Sequence, residues 1–135
     1  SEDTAPLVDF VSFHSFNGVD ALRQEIAVLT SATQRPILLT AVGFNTYDMN
    51  ELLQRQSYQR AFEAVARNNL SGWVVWTAFD YPLTALCDDL SVCDVANGPD
   101  NRFGLWNTSY FPKRGVDAVE IATGIITEED LIGEN

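Results

Sequence analysis

Three apolar runs, two of them followed by a stretch in which apolar side chains recur every three or four positions, organise the chain. Residues 7–16, LVDFVSFHSF, mix β-branched and aromatic side chains in a run too apolar for a half-solvated edge, which predicts a buried strand. Asn17-Gly18 breaks it, and Val19, Leu22, Ile26 and Leu29 then trace one face of an amphipathic helix. The second run, RPILLTAVGF, is opened by Pro36 and released into a loop at Gly43, with a buried strand predicted over 36–42. A helix over about 51–69 follows, capped by Asn50, with Leu52, Tyr58, Phe62, Val65 and Ala66 on one face. Ser71-Gly72 leads into the third run, WVVWTAF at 73–79, which ends at Asp80-Tyr81-Pro82. Residues 83–114 form a polar stretch too long for a plain connector, and loops of that length are more often functional than idle. A closing helix over 115–124 and an acidic tail, TEEDLIGEN, frayed or forming a short final turn, complete the pattern.

Strands and helices in alternation, with near-continuous apolar strands, specify an α/β fold: a parallel sheet with helices packed on it, in a single domain over 1–135. The 135 residues and 46% hydrophobic content suffice for one core. A net charge of −11, from 19 acidic against 8 basic residues, argues against nucleic acid as a partner. No glycine-rich phosphate loop is present, and no apolar stretch approaches the roughly 20 residues that span a bilayer. The start, SEDTAP, has neither region of a signal peptide, so the expectation is a soluble chain, already processed or truncated.

Cys87 and Cys93 sit in CDDLSVC and suit a loop-closing disulfide, which would favour a secreted or periplasmic location; two free thiols are the alternative. His14 is the only histidine and lies far from both, so no metal set and no cofactor is expected. Asn69-Leu70-Ser71 and Asn107-Thr108-Ser109 fit the short, common glycosylation acceptor pattern, which carries no weight by itself.

Four segments together resemble the C-terminal part of the (β/α)8-barrel retaining glycoside hydrolases of the cellulase and β-mannanase type. DFVSFHSF supplies the His and following aromatic that close the family's sixth strand, as His14 and Phe16. RPILLTAVGF parallels PVLLTEFGF of the seventh. GWVVWTAFDYP parallels GWMVWTLYDYP of the eighth, and FGLWNTSYFPKRG at 103–115 parallels YGLWNTDGSPKPA. The resemblance runs from about Val8 to Val119 and implies a partial TIM barrel of three βα units.

Retaining hydrolysis needs two carboxyl groups roughly 5–5.5 Å apart, one protonating the leaving oxygen and one attacking the anomeric carbon. Aligned on LLT and the following glycine, the family's nucleophilic glutamate falls on Ala41, whose methyl can neither attack nor stabilise the transition state. The acid/base glutamate belongs to strand four, which lies outside the match. The resemblance makes His14 a hydrogen-bond donor to sugar or nucleophile, and Trp76 the floor of the sugar subsite nearest the cleaved bond. Phe16 stands where tyrosine is frequent. Asp80 and Tyr81, after the third strand, are further candidate sugar contacts, while Asp48 and Glu51 read as loop or capping acids.

Three βα units leave two strand edges and an inner apolar face open. Oligomerisation, or docking on a chain that carries strands one to five, is the expected remedy. Two functions follow from the resemblance: a glycoside hydrolase fragment inactive by itself, or a non-catalytic carbohydrate-binding or assembly protein. An unrelated α/β interaction domain is a third possibility.

Overall fold

The computed structural model describes residues 7–86 and 98–132. The elements in order are β1 (Val11–Ser15), α1 (Val19–Ala32), β2 (Ile37–Val42), α2 (Glu51–Arg67), β3 (Gly72–Val75), α3 (Leu83–Leu86), a 3-10 turn (Pro99–Asn101), α4 (Gly115–Ala122) and α5 (Glu128–Ile132). The strands form one parallel sheet in the order β1-β2-β3, so the fold is the α/β arrangement that the alternation of patterns predicts. The described chain divides into two compact units. The first holds the three strands, α1 and the part of α2 from Arg60; the second holds Phe44–Gln59 and the described chain from Thr77 on.

In the first unit, Leu39 and Val42 of β2 and Leu22 and Ile26 of α1 are buried. The ring of Trp73 on β3 stacks on Phe62 of α2, with centroids 4.0 Å apart. Side chains alternate across a strand, so Trp73 and its register partners Leu39 and Phe13 share the helix-covered face. The opposite face carries Ser12, Val74 and Trp76, all exposed.

This corrects the expectation of strands covered on both faces. β2 is flanked by a strand on each side, yet its Leu38 and Thr40 are only half-buried; β1 and β3 are edge strands, and Ser12, His14 and Val74 meet solvent. β1 is also shorter than predicted, because Leu7, Val8 and Phe10 have no strand to pair with and are exposed. Coverage is a property of neighbours, and an apolar run does not supply them. Gly18, at φ 91, makes the turn into α1 that a side chain would resist.

Asn50 caps α2 through its Oδ1, which accepts the Leu53 N–H at 2.9 Å. The buried stripe of that helix runs through Gln54, Tyr58, Ala61, Phe62 and Val65, whereas the predicted Leu52 and Ala66 are exposed. The stripe turns towards Gln54 because its amide nitrogen is satisfied: Nε2 donates to the carbonyls of Phe44 at 2.8 Å and Gly104 at 3.2 Å, while Oε1 is buried without a partner among the described residues.

The second unit explains the long polar stretch. The third strand was expected to run to residue 79; instead Thr77–Asp80 pairs with Phe103–Trp106, with backbone bonds from Leu105 to Thr77 and from Asp80 to Trp106. Leu105, Val116 and Ala118 are buried there. Gly104 lies so close to this partner segment that an added Cβ would sit 2.1 Å from Asp80 N and 2.3 Å from Phe79 C. The acidic tail forms α5, whose Glu128 bonds Arg55 and Gln59.

Candidate functional site

The end of β2 is irregular on both of its sides. Leu39 pairs with Phe13, but Ala41 pairs with His14, so one β2 residue is extra relative to β1. Relative to β3 the same slip lies between Leu39 and Val42, which pair with Trp73 and Val75. A single bulge at Thr40-Ala41 accounts for both. Such an insertion re-aims the side chains that follow, and bulges recur beside active sites. Thr40 Oγ1 pins the kink by donating to the Phe13 carbonyl at 3.1 Å.

The bulge brings Ala41 level with His14 at the strand end. Val42, Ser15 and Val75 return to the helix-covered side, which leaves His14 on the open face with Ser12, Val74 and Trp76. His14 is exposed and meets the Phe16 ring edge-on, centroids 6.5 Å apart. Trp76 is 47% exposed, and its backbone N–H donates to the Val42 carbonyl at 2.8 Å. The strand ends of this unit thus hold an imidazole, two aromatic rings and a methyl, with no carboxyl among His14, Phe16, Ala41 and Trp76. Such a set can stack on and hydrogen-bond to a sugar; nucleophilic or acid/base work on a glycosidic bond needs more.

Asp80 and Tyr81 belong to the second unit and have other partners. Asp80 is buried; its Oδ1 accepts the Lys113 ammonium at 2.6 Å and the Gly104 N–H at 2.9 Å. Lys113 Nζ also donates to Thr46 Oγ1 at 2.9 Å. The Tyr81 hydroxyl shares a 3.3 Å hydrogen bond with Thr77 Oγ1. Asp48 donates its backbone N–H to Asn45 Oδ1, and Glu51 accepts the Arg114 N–H, which suits the loop and capping roles read for them. Cys87 and Cys93 lie outside the described residues.

Sequence reasoning missed Lys113 and Gln54, the polar residues that hold the second unit's loops. The signal available for Lys113 was its being the one lysine of the chain, placed between a proline and an arginine where a surface charge would have served as well. Burial drives the Tyr58 hydroxyl far above its usual range, opposed in part by a hydrogen bond to the Phe44 backbone. Among the described residues no group of three or more His, Cys, Asp or Glu could hold a metal ion, and no helix is long and apolar enough to cross a membrane.

No protein-family model matches the chain, and no curated protein sequence does. Solved structures do. A GH5_18 variant from Bifidobacterium longum subsp. longum, in complex with Manb1-4GlcNAc, superposes with a TM-score of 0.62 at 18% identity, over 86% of this chain and 30% of that one. A GH2 beta-galacturonidase from Eisenbergiella tayi gives 0.64 at 19% identity, over 87% and 24%. A family 39 glycoside hydrolase from the gut symbiont Bacteroides cellulosilyticus WH2 gives 0.61 at 14% identity, over 89% and 28%. The chain therefore spans under a third of the structures it matches. At these identities the likeness concerns architecture: this chain has the fold of one portion of several glycoside hydrolases.

Proposed function

We propose that the chain is the C-terminal portion of a cellulase- or β-mannanase-type (β/α)8 barrel, in which the strand ends bind carbohydrate but do not cleave it. The carrying observation is Ala41, level with His14 at the bulged end of β2, where the resemblance calls for the nucleophilic glutamate. Supporting it, structures of similar fold were solved with Manb1-4GlcNAc and with GlcNAc. The ligand of this reading is a β-linked oligosaccharide or polysaccharide, lying on Trp76 and hydrogen-bonded by His14. A reducing-sugar assay on cellulose, mannan and their oligosaccharides is expected to show no turnover, and measurable hydrolysis by the pure chain would refute the reading.

Completion of the sheet is part of the same proposal. The open face of Ser12 and Val74, together with the edges of β1 and β3, is covered by self-association or by a chain carrying the remaining strands, with Trp76 left for the sugar. Light scattering over a concentration series tests this, and a well-folded monomer at micromolar concentration would count against it.

A further inference from the structure

The second unit carries a group of aromatic rings that neither its core nor the strand ends use. Tyr110 is 75% exposed, Phe111 67% and Phe79 43%. The Phe79 ring meets Tyr110 edge-on at 5.5 Å and tilts against Trp106 at 5.8 Å. Around them stand the amide and hydroxyls of Asn107, Thr108 and Ser109, with the latter two exposed.

The rings are held in place rather than loosely displayed. Phe79 and Trp106 are joined by a backbone bridge. Residues 107–111 form a tight turn closed by Asn107 N–H to the Phe111 carbonyl and Tyr110 N–H to the Asn107 carbonyl, each 2.9 Å. Inside it, Asn107 Oδ1 accepts the N–H groups of Ser109 at 2.9 Å and Phe111 at 3.1 Å. Tyr110 sits at φ 65, a conformation that glycine adopts freely and a tyrosine resists. A strained residue persists where the surroundings over-determine it, and its ring here projects to solvent, so the strain holds no core side chain in place.

We infer that Phe79, Trp106 and Tyr110 form a binding platform for a β-linked pyranose chain. Aromatic faces match the apolar C–H faces of a pyranose, and the polar fringe of Asn107, Thr108 and Ser109 matches its hydroxyls. Aromatic rings are common to sugar sites and protein interfaces, so the oligomer size measured below separates the two occupants. Pre-organisation by the turn lowers the entropy lost on binding. The choice of β-linkage rests on the function proposed above; the platform itself rests on the second unit alone.

Calorimetric titration of the full-length chain with cellohexaose and mannohexaose, and with the α-linked maltohexaose as control, tests the assignment. Tyr110→Gly relieves the positive φ while deleting the ring, so it is expected to melt no lower than the parent yet, combined with Trp76→Ala, to bind at least about tenfold more weakly than Trp76→Ala alone. Trp76→Ala is expected to remove the strand-end binding proposed above, so the platform is read in that background, where the binding that remains is expected to depend on Tyr110. Binding lost in Trp76→Ala but kept in Tyr110→Gly would overturn the platform and leave the strand-end reading standing. A Trp76→Ala/Tyr110→Gly double variant that binds as tightly as Trp76→Ala alone, or equal affinity for maltohexaose, would also overturn it. So would an absence of binding by the parent, or a Tyr110→Gly variant that binds normally but changes the oligomer size in light scattering.

Discussion

Lys113 Nζ lies 2.6 Å from Asp80 Oδ1, and the two side chains are 4% and 1% exposed. An ion pair so enclosed is costly to assemble, and the attraction offsets the lost hydration only while both partners are present. Around it the second unit arranges Thr46 and the backbone of Gly104.

Removing one partner should therefore do far more harm than removing an exposed pair. Lys113→Ala is expected to destabilise the chain by about 3–5 kcal/mol, because Asp80 is left charged and buried. Glu128→Ala, which breaks the exposed bond to Arg55, is expected to cost under about 1 kcal/mol. Denaturant titration of both variants checks the contrast.

Gly104 allows no side chain. Since the atoms that an added Cβ would strike belong to the backbone of Phe79 and Asp80, no rotamer change relieves the clash. Gly104→Ala is expected to lose more than about 3 kcal/mol, at the upper end of overpacking effects. Soluble yield and thermal midpoint report it, with Gly98→Ala, where the same atom meets open space, as the control.

On the function proposed above, placing a carboxylate at position 41 should not create an enzyme. Ala41→Glu supplies one of the two carboxyl groups that retaining hydrolysis requires and no acid/base partner. Reducing-sugar release by this variant is expected to stay at the level of buffer, with circular dichroism checking that it folds, since Ala41 is buried.

Alkali should loosen the second unit. The Tyr58 hydroxyl is raised by burial above its ordinary value of 10.0, so the folded chain keeps a proton that the unfolded chain gives up. Its contribution is whole below pH 10 and declines as pH rises beyond. Tyr58→Phe, lacking the ionisable group, is expected to show a flatter fall in stability between pH 10 and higher values, read from urea midpoints.

Acid should act at the other end of the scale on α5. Asp130 Oδ2 accepts the N–H and hydroxyl of Thr127, at 2.6 and 2.8 Å. These bonds hold its carboxyl below the ordinary value of 3.8. The cap is present above that value and is lost as pH falls through the lowered one. Amide exchange over 128–131 is expected to quicken there, and Asp130→Asn to blunt the change.

The element order was legible in the sequence because each strand announces itself locally: Pro36 and Gly43 bracket β2, and Ser71-Gly72 opens β3. What lay beyond reach was decided at long range. Nothing near Val11 says that β1 is an edge, and nothing near Lys113 points to Asp80, 33 positions away. Gln54 gives no signal within α2 because its partners, Phe44 and Gly104, come from separate loops. The proposed reading of Ala41 as a nucleophile position comes from the resemblance alone, since by pattern it is an ordinary small residue of a buried strand.

The double slip at Thr40-Ala41 has a mechanical consequence. Straightening β2 would require β1 and β3 to re-register together, and a one-residue slip turns every later side chain to the other face. Two neighbours thus act as a clamp, each vetoing the shift the other would permit. The shape of the strand end is thereby set by backbone pairing on both edges, and the residue at position 41 is placed by its neighbours before its own side chain has any say.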